Sequence, residues 1–116
     1  MTFGQFIRER RERLRETDRS FSVRQVAQRI SVEPAYLSKI EREEVAPPSE
    51  EKIRALAREL GEDADVLLAM AGKVSSDLLE IIRKRPALFA DLIRQLKSSP
   101  DHAILRVVRE VRDGDW

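Results

Sequence analysis

The stretch FSVRQVAQRISVEPAYLSKIER, residues 21–42, decides how this chain folds. It is typical of two short helices joined by a tight turn. Ser22 can cap the first helix, and the side chain of Gln25 can return a hydrogen bond to the N–H of the cap residue. Phe21 can pack onto Val26 across the same cap. This complete helix-start signal fixes where the first helix of the pair begins.

The second helix of the pair restarts at Pro34, because a first-turn position does not need the N–H that proline lacks. Apolar residues at helical spacing predict one buried side on each helix. The residues predicted to be buried are Val23, Val26, Ala27, Ile30, Tyr36, Leu37 and Ile40. The outward side of the second helix then carries only small or polar groups beside one cation, Lys39. Such a surface suits close approach to a DNA groove.

Residues 3–71 resemble the lambda-repressor-like, xenobiotic-response-element group of bacterial and phage regulators, which carry a helix-turn-helix. The matching residues are Ile7, Arg11, Ser22, Val26, Ala27, Val32, the run from Tyr36 to Arg42, Pro48, Ser49, Ile53, Leu56, Ala57, Leu60 and Gly61. They agree with the family in type and order over five successive elements. The resemblance implies an all-α fold, with a five-helix DNA-binding domain over residues 1–73.

The chain departs from the family pattern at two positions. Ser31 stands where the turn usually has glycine, so the turn must either hold a non-glycine residue in a left-handed conformation or change its shape. Glu43 replaces a second frequent glycine at the end of the second helix of the pair.

The resemblance also implies how the domain meets DNA. In this motif the second helix, here residues 33–42, lies in the major groove with its N-terminal end at the base edges. Pro34, Ala35 and Lys39 match the base-reading positions, and the Lys39 ammonium can donate to the acceptors of guanine. The residues expected to contact DNA are Ser22, Val23, Arg24, Glu33, Pro34, Ala35, Tyr36, Ser38, Lys39 and Arg42.

These contacts divide by chemistry. Ser22, Val23 and Arg24 open the first helix of the pair, where backbone N–H groups and a full positive charge can meet a phosphate. Tyr36 can bond a phosphate or form part of the core. Glu33 repels phosphate unless it accepts from a cytosine amine. Since the reading face has few long donors, affinity is expected to depend on phosphate contacts and DNA shape.

The resemblance pairs Arg11 with Glu41 as an internal salt bridge between the first and third helices. The expected role of this pair is architectural. Loss of Glu41 would strand the Arg11 charge and disrupt the domain.

Charge is distributed unevenly along the 116 residues. Residues 1–42 hold ten Arg and Lys against six Asp and Glu, whereas residues 43–73 hold four against eight. The cation excess therefore lies on the segment with the helix-turn-helix, as a phosphate-facing surface requires. Several arginines of the first helix are interpreted as solvating it beside their neighbouring glutamates. They are Arg8, Arg10, Arg13 and Arg15.

Residues 74–116 fall outside the family pattern, but their apolar periodicity predicts two or three further helices. Breaks at Pro86 and at Ser99–Pro100 separate them. These helices either finish the core or form an association module, and association is favoured because a five-helix domain is already closed. The residues expected at a dimer or partner interface are Leu88, Phe89, Leu92, Ile93, Leu96, Ile104, Val107, Val108 and Val111.

Composition excludes several classes of protein. Without cysteine the chain can form neither disulfides nor thiolate metal sites. The lone His102 has no ligand partner at metal spacing, and no catalytic signature or cofactor motif is present, so neither enzyme activity, a metal nor a cofactor is expected. No long apolar run and no secretory leader is evident, which favours a cytoplasmic protein.

Two functional classes remain open. The first is a sequence-specific transcriptional regulator, most simply a repressor, which binds double-stranded DNA as a homodimer on an inverted repeat. The alternative is an antitoxin whose C-terminal helices bind a toxin, or a regulator controlled by a metallopeptidase partner. The apolar helices after Ser75 could serve either purpose.

Overall fold

A computed structural model describes residues 1–116, and it confirms the all-α prediction with eight helices and no strand. The helices are α1 Phe3–Arg15, α2 Val23–Arg29, α3 Pro34–Glu41, α4 Glu50–Leu60, α5 Ala64–Met70, α6 Ser76–Lys84, α7 Pro86–Leu96 and α8 Asp101–Asp113. A single 3-10 turn, Arg19–Phe21, leads into α2. No helix combines the length and the apolar character needed to cross a bilayer.

The chain divides into two compact units, Met1–Ser75 and Ser76–Trp116. The first unit contains α1 to α5 and every buried side chain of the molecule. Its apolar core consists of Phe3, Ile7, Val26, Ala27, Ile30, Leu37, Ile40, Ile53, Leu56, Ala57, Leu60, Leu67 and Leu68. Val23 and Tyr36 were predicted to be buried, but both are half-buried against the edge of this core.

Capping at the start of α2 differs from the prediction. The Ser22 hydroxyl accepts from the Gln25 N–H at 3.2 Å, as expected. The Ser22 N–H donates to the Arg19 carbonyl instead of to the Gln25 side chain, because the preceding 3-10 turn supplies that acceptor. A complete capping box forms at α1, where Thr2 and Gln5 exchange bonds of 3.2 and 3.1 Å.

Both turns that lack the family glycine adopt the left-handed conformation, with φ of 60° at Ser31 and 61° at Glu43. Each is held by a distant partner. The Lys52 ammonium donates to the carbonyls of Ile30 and Ser31, at 2.9 and 3.4 Å. The Glu43 carboxylate accepts from the Gly4 N–H at 2.6 Å. Contacts from other helices therefore hold the conformation that glycine would adopt without strain.

The second unit has amphipathic helices but no buried side chain. Four of the nine residues expected at an interface are half-buried, namely Phe89, Leu96, Ile104 and Val107. The other five are exposed, namely Leu88, Leu92, Ile93, Val108 and Val111. Leu105, which the sequence analysis did not single out for an interface, is exposed as well, and so is Trp116.

Candidate DNA-binding surface

A buried ion pair fixes the position of α3. The Arg11 guanidinium donates to both carboxylate oxygens of Glu41, at 2.7 and 2.9 Å, and each side chain is only 4% exposed. A third Arg11 nitrogen donates to the Phe21 carbonyl at 3.1 Å. The hydrogen bond to Glu41 raises the pKa of Arg11 above its ordinary value, although burial opposes that effect. One side chain thus ties α1 to α3 and to the chain just before α2.

The opposite side of α3 faces solvent. Leu37 and Ile40 point into the core, while Ala35 and Lys39 are exposed and Ser38 is half-buried. Lys39 forms no ion pair with the rest of the chain. An unpaired ammonium therefore stands beside small side chains, which leave room for a base edge to approach.

A cleft of about 340 Å³ lies where the start of α3 meets α2. Arg24, Glu33 and Pro34 line it, so the structure brings together three of the residues predicted to contact DNA. Arg24 is exposed and forms no ion pair. Glu33 precedes α3 without a capping hydrogen bond from its side chain. Gln28, which the sequence analysis missed, joins this cleft because it lies one helical turn after Arg24.

A second cleft, of about 140 Å³, collects Val23, Ser38 and Arg42 beside the buried ion pair. Arg8 of α1 lines the same cleft, although the sequence analysis assigned this residue to solvation alone. Arg42 pairs with Glu44 at 3.1 Å, and both side chains are half exposed. Exposed pairs of this kind contribute only about 0–1 kcal/mol, so a phosphate can compete for Arg42.

Two of the residues predicted to contact DNA are engaged in folding. The Ser22 hydroxyl is occupied by the N–H of Gln25, and the Tyr36 ring packs against the core. The hydroxyl O–H of each residue can still donate to a phosphate oxygen. In this structure Ser22 caps the start of α2, and Tyr36 helps to pack α3 against the core.

The family model described as a helix-turn-helix domain matches residues 2–70, which is more than half of the chain. The protein therefore belongs to the helix-turn-helix domain family and falls in the class of DNA-binding regulators. This membership agrees with the lambda-repressor-like resemblance of the sequence. No curated protein and no solved structure matches the chain.

Proposed function

We propose that this protein is a sequence-specific transcriptional regulator, most simply a repressor, which reads the major groove with α3. The observation that carries the proposal is the unpaired Lys39 on a solvent-facing side of α3, on a helix that the buried Arg11–Glu41 pair holds in place. A helix fixed in this way presents its side chains in one orientation. Little ordering entropy then has to be lost when the helix meets DNA.

Within the proposal, four side chains have different tasks. Lys39 donates to the O6 and N7 acceptors of guanine, and Ala35 contacts a thymine methyl. Arg24 neutralises a phosphate at the start of α2. Glu33 stands in the same cleft as Arg24 and is suited to accept from a cytosine amine.

The test separates base reading from phosphate binding. Lys39→Ala should weaken binding to the preferred operator by about 5- to 150-fold and leave binding to random duplex nearly unchanged, as loss of a base contact worth about 1–3 kcal/mol requires. The operator is first obtained by selection from random duplexes with the wild-type protein. Fluorescence anisotropy with labelled duplexes measures both affinities.

Arg24→Ala should weaken binding to every sequence and reduce the salt slope of log K by about one unit. Arg58→Ala is the matched control, because Arg58 is an exposed arginine on α4, outside both clefts. Equal losses on operator and random DNA for Lys39→Ala would show that Lys39 binds phosphate only. Unchanged binding in both the Lys39 and Arg24 variants would refute the proposed surface.

We further propose that residues 1–73 bind DNA and that residues 74–116 join two copies on an inverted repeat. The exposed apolar residues of α7 and α8 support this division of roles. A two-fold pair places its recognition helices about 34 Å apart, one turn of DNA. A selected operator without two-fold symmetry would contradict the homodimer.

The alternative is that the same exposed apolar residues bind a toxin or a metallopeptidase, which would make the protein an antitoxin or a protease-controlled regulator. The purified protein would then remain monomeric in sedimentation at micromolar concentration, with or without DNA. A dimer under those conditions favours the homodimeric regulator.

A further inference from the structure

The second unit, Ser76–Trp116, has three helices without an interior. None of its side chains is buried, although α6, α7 and α8 each carry an apolar stripe. Units of about 40 residues usually need disulfides, a metal or oligomerisation to be stable. Disulfides are impossible here because the chain has no cysteine.

We infer that α6 to α8 become stable only when two copies of this chain pair through them, so that helix formation in the unit and dimerisation are one equilibrium. This inference rests on the homodimer in the proposed function and adds that the second unit folds as the dimer forms. The first unit has its own core and stays folded in the single chain. The second unit obtains its core from the other copy.

The exposed apolar area matches what a dimer of two such units needs. Leu88, Ile93 and Val111 are 69%, 57% and 63% exposed, and Leu105 and Val108 are about half exposed. At roughly 100 Å² for a whole side chain, these residues and their half-buried neighbours offer on the order of 400 Å² of apolar surface per copy. A standard interface buries about 800 Å² per partner, roughly 65% of it apolar in homodimers. The exposed apolar area of about 400 Å² per copy is therefore close to the roughly 520 Å² of apolar area in such an interface.

The charge of this unit favours a second copy over a strongly charged partner. Residues 76–116 hold eight Arg and Lys against seven Asp and Glu. Both signs alternate on the helix surfaces, as in the exposed pair of Arg106 with Glu110. A two-fold interface brings a surface against itself, which a nearly neutral surface of mixed sign permits without repulsion.

A small apolar cleft on α7 is suited to side chains of the other copy and not to a small molecule. Leu88, Phe89 and Leu92 form an apolar cleft of about 180 Å³ with the stem of Arg85. This volume is below the roughly 300–1,000 Å³ of small-molecule sites. A cleft of that size can accept one or two large apolar side chains, such as those that the same helix of the other copy presents.

The first experiment follows the full-length chain from about 0.2 to 200 µM. Sedimentation measures the dimer fraction, and hydrogen exchange measures amide protection in each unit. Protection of residues 76–116 should rise and fall with the dimer fraction, while residues 1–75 stay protected throughout. Trp116 is the only tryptophan, so its emission reports on the second unit alone and should follow the same curve.

The second experiment compares Leu88→Glu with Ala90→Glu. Both changes place a glutamate at an exposed position of α7, but Ala90 lies away from the apolar stripe. Leu88→Glu should raise the dimer dissociation constant at least about 100-fold, because the glutamate enters the interface twice. Since Leu88 is largely exposed in the single chain, the change removes little from the monomer. Ala90→Glu should leave the dissociation constant within about threefold of wild type.

Three outcomes would overturn the inference. Full protection of residues 76–116 at concentrations where only monomer sediments would show that the helices fold alone. A dimer in which amide protection of residues 76–116 does not change with the dimer fraction would refute the coupling of folding to dimerisation but leave the homodimer intact. Monomer at all concentrations would remove both the inference and the homodimer. The DNA-reading role of α3 is judged separately by the Lys39 variant.

Discussion

Removal of Glu41 is expected to unfold the DNA-binding unit rather than merely weaken its binding. In Glu41→Ala the Arg11 charge stays almost wholly buried and keeps only its hydrogen bond to the Phe21 carbonyl and a 3.9 Å ion pair with the half-exposed Glu12 carboxylate. Stranding one partner of a buried pair costs about 3–5 kcal/mol. A unit of this size has a total stability of only roughly 4–11 kcal/mol, at about 0.05–0.15 kcal/mol per residue. The loss is therefore comparable with the whole stability of α1 to α5.

The assay is the free energy of unfolding of α1 to α5, taken from the urea dependence of amide exchange in the full-length chain. Glu44→Ala is the matched control, since it removes an exposed carboxylate from the pair with Arg42 and should change stability by less than about 0.5 kcal/mol. Replacing both Arg11 and Glu41 by apolar residues should cost less than Glu41→Ala alone, because no charge is left buried. A Glu41→Ala protein within about 0.5 kcal/mol of wild type would refute the reasoning.

Three further predictions concern the first unit, one at the contact of α1 with the end of α3 and two at the turn after α2. Gly4→Ala should lower stability by about 1–3 kcal/mol, because the new methyl carbon would lie 2.5 Å from the Ile40 carbonyl oxygen, where the backbone must shift; a urea midpoint at or above wild type would show that the helices separate freely. Ser31→Gly should raise stability by up to about 1 kcal/mol through relief of the left-handed strain, partly offset by the entropy of glycine in the unfolded chain. Lys52→Met should lower stability by about 1–2 kcal/mol and lose less in the Ser31→Gly background, so strictly additive midpoints would show that the lysine does not hold the turn.

The buried Arg11–Glu41 pair also controls which side of α3 faces solvent. The same helix that carries Lys39 outward carries Glu41 inward, and Arg11 holds that carboxylate with two hydrogen bonds. Rotation of α3 about its axis would break both bonds. The Arg11–Glu41 contact thus stabilises the unit and also fixes which side of α3 faces solvent.

Much of the first unit follows from local sequence. Ser22, Ser49 and Asp63 cap α2, α4 and α5, and Pro34 opens α3, because capping and first-turn preferences depend on neighbours within a few positions. Gly61 ends α4 in the left-handed conformation for the same reason. The capping-box rule named the wrong acceptor for the Ser22 N–H, because the Arg19 carbonyl of the preceding 3-10 turn accepts from it in place of the Gln25 side chain.

The sequence by itself determined the helices of this protein, their apolar sides and the cation excess of the helix-turn-helix segment, since these depend on residue type and on spacing along the chain. Only the tertiary structure decided which cations of that segment have an ion-pair partner. Arg29 is held by Glu59 at 2.6 Å and Arg10 by Glu62 at 3.0 Å, whereas Arg24 and Lys39 have no such partner. Those partners lie 30 or more positions away, so the fold alone brings the charges together. The fold also decided that the apolar sides of α7 and α8 stay exposed in the single chain, because burial requires a facing surface that periodicity cannot supply.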